Sequence, residues 1–96
     1  MSLDEIIHVP ARLKIMTYLV ENQVATFTEL QNTFGFTQGN LSSHLLKLEG
    51  AGYVKIIKEF QGRKPVTKIQ ITPEGINAYK NYVNELIRLL KLDNAK

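Results

Sequence analysis

Between Thr37 and Lys47 the chain reads Thr-Gln-Gly-Asn-Leu-Ser-Ser-His-Leu-Leu-Lys, a run dense in groups that donate and accept hydrogen bonds. On a helix that advances 100° per residue, Leu41, Leu45 and Leu48 point one way and form a core face. Gly39, Asn40, Ser43, Lys47 and Gly50 then lie on the far side, with Ser42 and His44 on the flanks. That far face is small and polar at its start and gains one cation a turn later. A helix entering a duplex major groove about 12 Å wide needs such a face. Gln38 and Asn40 carry the paired donor and acceptor that match adenine, and Ser42 and Ser43 can reach phosphates or base edges. Gly39, Asn40, Ser42 and Ser43 are also poor helix formers, whereas a merely solvated helix face usually carries Glu and Lys. His44 has two readings, a packed histidine bonded to a carbonyl or a phosphate contact. Leu46 falls on the exposed side and has no role in this scheme.

A second polar cluster is Gln61-Gly62-Arg63-Lys64-Pro65. At the tip of a two-stranded ribbon, Arg63 and Lys64 would reach an adjacent minor groove or its phosphates. Hairpin tips are often charged for solubility alone, so the weight of this cluster comes from its neighbours. Of the overall net charge of +3, the segment from Lys47 to Lys68 supplies +4 and the remainder −1. All the excess positive charge is continuous with the polar helix.

Other chemistries are poorly supplied. The chain has no cysteine, and its two histidines, His8 and His44, have no acidic cluster beside them. No metal and no cofactor is therefore expected. No nucleophile–base pair, phosphate loop or paired carboxylates stand out, and nothing acidic orients His44 beside Ser42 and Ser43, so catalysis is not expected. No apolar run approaches the roughly 20 residues that span a bilayer. Asp4 and Glu5 stand where a signal peptide would carry positive charge. The expectation is a soluble cytoplasmic protein with no membrane partner.

Ninety-six residues, 44% of them apolar, suit one domain over residues 1–96. Pro10 to Asn22 reads as a helix, with Leu13, Met16 and Val20 at helical spacing. A short extended piece, Val24 to Phe27, follows. Thr26 and Glu29 make a capping box for a second helix carrying Leu30 and Phe34 inward, and Gly35 is placed to end it. Thr37 caps a third helix running to about Ala51, stopped by Gly52. Tyr53–Phe60 and Val66–Ile71 form a hairpin around the Gln61–Pro65 tip. Thr72-Pro73 then starts a last helix reaching about Leu92. The order is α, short β, α, α, β-hairpin, α. This predicts an α+β, mostly α, winged helix-turn-helix: a three-helix core, a β-hairpin wing and a long C-terminal helix.

Phe34 to Val54 resembles the helix-turn-helix signature of winged-helix regulators of the MarR and ArsR type. The most specific portion is Gly39-Asn40-Leu41-Ser42-Ser43-His44-Leu45, then Leu48-Glu49 and Gly52-Tyr53-Val54. Ile71-Thr72-Pro73-Glu74-Gly75 is similar to the end of the wing and the start of the last helix in those proteins. The resemblance covers nearly the whole chain. It implies a sequence-specific regulator of transcription that binds double-stranded DNA as a homodimer. The helix from Gln38 would read the major groove and the Gly62–Lys64 loop would be the wing. Thr37, Gln38, Gly39, Asn40, Ser42, Ser43, His44 and Lys47, with Gln61, Gly62, Arg63 and Lys64, are the expected DNA contacts. Lacking cysteine, the chain departs from the metal-sensing ArsR branch. It is shorter than typical MarR proteins, so their ligand pocket is not carried over and no effector is assigned. The alternative is a winged helix that docks proteins without sequence-specific DNA binding. It would favour large apolar residues on the third helix, where only Leu46 fits.

Ile76, Tyr79, Val83, Leu86 and Leu90 follow 3-4-3-4 spacing, and Tyr82, Ile87 and Leu89 widen the apolar arc to nearly half the circumference. Packing on the chain's own core needs a stripe of only about 100°. Tyr79, Tyr82, Val83, Leu86, Leu89 and Leu90, with Leu3, Ile6 and Ile7, are therefore the expected dimer interface. The competing assignment is that the surplus covers the chain's own first helix.

Overall fold

The computed structural model describes residues 2–91, so the expected end of the last helix near Leu92 lies outside the described residues. Pro10–Asn22 forms α1, Val24–Thr26 β1, Phe27–Phe34 α2, Gln38–Gly50 α3, Val54–Gln61 β2, Lys64–Ile71 β3 and Pro73–Leu90 α4. The three strands make an antiparallel sheet in the order β1-β3-β2. The fold is a winged helix, as the sequence implies. Among the described residues no helix is long and apolar enough to cross a membrane.

Local chemistry places most boundaries. Pro10 opens α1, where a missing N–H is harmless. The Thr26 hydroxyl accepts from the Glu29 backbone N–H while the Glu29 carboxylate accepts from that of Thr26, completing the capping box of α2. Gly35 ends α2 in the left-handed conformation, φ 73°, and donates to the Gln31 carbonyl at 2.7 Å. Thr37 caps α3 through the Asn40 N–H at 3.1 Å. The inward face of α1 is Ile15, Met16 and Leu19, with Leu13 and Val20 only partly buried. The helix is thus turned slightly from the orientation its sequence suggests.

Leu30, Leu41, Leu45, Leu48, Val54, Ile69 and Ile71 join that face in one core. Val24 to Thr26, expected only as an extended piece, pairs with Gln70 to Lys68 of the hairpin and closes the sheet against the helices.

The hairpin is tighter than its sequence suggests. Gln61 pairs with Lys64 and Phe60 with Pro65, which leaves a two-residue turn, Gly62-Arg63, in place of a five-residue tip. Gly62 takes φ 65° while Arg63 does not enter the positive region, the pattern of a type II′ turn. Pro65 is tolerated in β3 because β1 reaches only Lys68 to Gln70, so at Pro65 the strand has a neighbour on one side alone.

The root of the wing is joined closely to α4. Thr72 N–H donates to the Tyr53 carbonyl at 3.0 Å, and its hydroxyl donates to the Gly52 carbonyl at 2.7 Å while accepting from Gly75 N–H at 2.9 Å. Gly75 passes so near that a Cβ there would lie 2.2 Å from the Tyr53 carbonyl oxygen. The Tyr53 hydroxyl in turn donates to Asp4, bringing the N-terminal segment onto the same joint. Burial first, and the hydrogen bond to Asp4 second, push the Tyr53 phenol up to about 12.

Candidate nucleic-acid interface

Leu41, Leu45 and Leu48 are buried, and α3 therefore turns its other side outward. Thr37, Gln38, Gly39, Asn40, Ser43, Lys47 and Gly50 are exposed, whereas Ser42 and His44 are half-buried on the flanks. The placement matches the far-face assignment residue by residue. Thr37 has its oxygen engaged in capping, which leaves its hydroxyl proton for a partner. A Cβ on Gly39 or on Gly50 would meet nothing within 4 Å, and neither glycine needs a left-handed backbone. No packing among the described residues requires glycine at those positions, although glycine in a helix costs about 0.5–1 kcal/mol relative to alanine.

His44 is half-buried and pairs with a side chain rather than with the backbone carbonyl that one reading expected. Arg12, on α1, donates from Nε to His44 Nδ1 at 3.3 Å and from Nη1 to the Ile6 carbonyl at 3.2 Å. Accepting at Nδ1 puts the histidine proton on Nε2. Burial first, and the Arg12 charge second, hold the His44 pKa below its ordinary value. The ring also lies beside Phe36, with centroids 6.3 Å apart, and Phe36 continues through Phe34 to Tyr18. His44 thus fastens α3 to α1 and to the turn. The sequence reading missed Arg12, because nothing local signals a pairing across 32 positions.

Gln61, Gly62, Arg63 and Lys64 are exposed together at the end of the hairpin. Glu59 is ion-paired with Lys68 at 2.9 Å, so its carboxylate is offset within the wing. Lys55 and Lys58 are exposed on β2. Between α3 and the wing runs an open groove of about 350 Å³, walled by Gln38, Ser42 and Leu46 on one side and Ile56, Lys58 and Thr67 on the other. The structure thus brings Gln38 and the Ser42 flank of α3 against the base of the wing across one groove, while Gly39, Asn40, Ser43 and Lys47 are exposed outside its lining. Leu46, 62% exposed, lies in this wall.

The residues expected to pair two copies divide into three groups. Ile7 (0% exposed) and Tyr82 (3%) lie inside the chain's own core, and the Tyr82 hydroxyl bonds His8 Nδ1 at 2.8 Å. Leu3, Ile6, Tyr79, Val83 and Leu86 are partly buried against that core. Tyr79 shares a hydrogen bond of 3.0 Å with the Thr17 hydroxyl of α1. Leu89 and Leu90 are exposed at 47% and 69%, as is Ile87 of the wider apolar arc at 41%. Much of the arc therefore covers the chain's own first helix and N-terminal segment, and the outward surplus is confined to the last turns of α4.

No group of three or more His, Asp or Glu side chains that could hold a metal ion occurs among the described residues. Nor, among them, does any buried side-chain polar atom lack a hydrogen-bond partner.

Comparison with known proteins agrees with this geometry. An uncharacterized protein of Methanocaldococcus jannaschii is 38% identical over 80 residues, which are 83% of this chain and 87% of that protein. The solved structure of a transcriptional regulator homologue from Pyrococcus horikoshii OT3 superposes with a TM-score of 0.87 at 34% identity, covering 92% of this chain and 87% of the other. An ArsR family transcriptional regulator shares the fold at a TM-score of 0.61 and 24% identity, over 92% of this chain and 86% of its own. A MarR protein is also among the structural neighbours. The family model described as a winged helix DNA-binding domain matches residues 11–90, from the start of α1 to the end of α4, and the chain belongs to that family.

Proposed function

We propose that this protein is a sequence-specific, double-stranded DNA-binding regulator of transcription. In this reading α3 enters the major groove, and the Gly62-Arg63 turn lies on the adjacent minor groove or its phosphates. The observation that carries it is the start of α3, where exposed amides and hydroxyls flank a glycine that the fold does not require. A backbone that must approach another surface closely is the ordinary reason for such a glycine. The Pyrococcus horikoshii protein, a transcriptional regulator homologue, supports the regulatory role.

The active form in this proposal is a homodimer joined through the last turns of α4, because Ile87, Leu89 and Leu90 leave apolar surface outward there. Two recognition helices about 34 Å apart would read successive major grooves of a palindromic site. The test is selection of bound fragments from random duplex DNA, followed by titration of the enriched site at low and moderate salt. Enrichment of a symmetric sequence, with affinity falling steeply as salt rises, is the expected result. Exposed Leu46 favours the protein-docking alternative. Failure to enrich any sequence, with no salt-sensitive duplex binding, would end this proposal and leave the alternative standing.

A further inference from the structure

Phe60 is 71% exposed, more than any other large apolar side chain described. Its register partner is Pro65, one step in from the Gln61–Lys64 pair that closes the turn. Directly opposed residues of an antiparallel ladder project to the same face, so Phe60 and Pro65 stand side by side. Further in, the same face carries Lys58 opposite Thr67, Ile56 opposite Ile69 and Val54 opposite Ile71. The innermost of these lie in the core, while Ile56, Lys58 and Thr67 wall the groove that faces α3. The Phe60–Pro65 pair therefore extends outward the wall that confronts Gln38, Ser42 and Leu46. Glu59, the one carboxylate of the hairpin, points to the opposite face, where Lys68 pairs with it.

An exposed aromatic ring beside a proline, with Lys58 one pair further in on its face, Arg63 in the turn next to it and no carboxylate of the hairpin on that face, suits a particular kind of surface. It must be anionic at its rim and apolar within. The minor groove of duplex DNA has that build, with phosphates at its edges and sugars and stacked bases at its floor. Phenylalanine and proline are among the side chains that wedge between base steps there. Pyrimidine–purine steps unstack most easily under such a wedge. We infer that Phe60, backed by Pro65, enters the minor groove as an apolar wedge and gives the wing a preference for a deformable pyrimidine–purine step. The inference rests on the DNA-binding reading above and adds to it a specificity-determining residue.

Full-chain protein carrying Phe60→Ala or Phe60→Leu tests it on the selected duplex and on a copy whose TA step beneath the wing is replaced by AA. Phe60→Ala should melt within a few degrees of the unsubstituted protein, because the ring is exposed. It should bind the TA duplex about tenfold more weakly and largely lose discrimination between the two duplexes. Its log–log salt slope should be unchanged, because the ring neutralises no phosphate. Phe60→Leu, still a wedge, should keep part of the discrimination. Undiminished affinity, discrimination that survives in Phe60→Ala, or a flattened salt slope would each overturn the wedge while leaving the proposed function standing. Absence of duplex binding by the unsubstituted protein would overturn both.

Discussion

Replacing Gly39 with alanine sets the demands of the fold against those of the interface. The added Cβ meets nothing within 4 Å, and the backbone there is not left-handed, so the substitution introduces no clash. Alanine is favoured over glycine in a helix by about 0.5–1 kcal/mol, and a first-turn position should give the lower end of that range. For a domain of this size, about 0.5 kcal/mol raises the melting temperature by roughly 2–4 °C. Binding should move the other way. A helix about 10–12 Å across fills a groove about 12 Å wide, so a methyl group on the inserted face has no clearance. Displacing the helix by the width of that group would break a base contact by Gln38 or Asn40, each worth about 1–3 kcal/mol. Affinity should therefore fall at least about fivefold, and more in a dimer that carries the change twice. Thermal melts and titration of the selected duplex read the two effects separately. A more stable protein with unchanged affinity would show that the start of α3 does not approach DNA. A less stable one would refute the claim that the fold has no need of this glycine.

Gly75→Ala should destabilise the fold. Its Cβ must be moved off the Tyr53 carbonyl, at a cost of about 1–3 kcal/mol by urea denaturation, and an unchanged midpoint would contradict the close approach at the joint. Replacing Arg63 and Lys64 together with alanine should flatten the log–log salt dependence of DNA binding by about 0.9 for each phosphate no longer neutralised, and a slope equal to wild type would remove the turn from the interface. Because the His44 pKa is held below its unfolded value, its neutral form stabilises the fold above about pH 6.5, and that contribution is lost as pH falls through the folded pKa. His44→Gln should accordingly lose less melting temperature than wild type on acidification below about pH 6.5, and parallel curves would refute the depressed pKa that burial and Arg12 impose on His44. Leu89→Glu combined with Leu90→Glu should leave a folded monomer in sedimentation with much weaker DNA binding, whereas an unsubstituted protein that already runs as a monomer at micromolar concentration would discard the dimer.

Features governed by a few neighbouring residues were legible in the sequence. Thr26 with Glu29, Gly35, Thr37 and Thr72-Pro73 each satisfy backbone groups within four positions, and each starts or stops a helix where expected. The polar face of α3 was equally plain, because Leu41, Leu45 and Leu48 fix its rotation. What was missed depends on residues distant in the chain. The bond from Arg12 to His44 and that from Tyr53 to Asp4 join separate elements, and no local pattern announces either. Composition misled at the hairpin, since Gln61-Gly62-Arg63-Lys64-Pro65 has the polarity of a long loop while the ladder continues through Gln61, Lys64 and Pro65. Tyr82 and Ile7 read as surplus apolar surface because periodicity cannot distinguish a partner's surface from the chain's own N-terminal segment.

The joint at Gly52, Tyr53, Thr72 and Gly75 has a geometric consequence for a dimer joined through α4. Three elements meet there: the end of α3, the base of the wing and the start of α4. Their carbonyls and amides are satisfied within a few ångströms of one another. The 18 residues of α4 run for about 27 Å from that point and so form a lever whose fulcrum is the reading head itself. A tilt of about 10° at the fulcrum would move the far end by roughly 5 Å, more than the roughly 3.4 Å between successive nucleotides of one strand. Two such levers meeting at their tips would gear the joint to the distance between half-sites. The glycine that lets α4 touch Tyr53 would then act as a gauge: a residue that never faces DNA would set which operator spacing the pair can straddle.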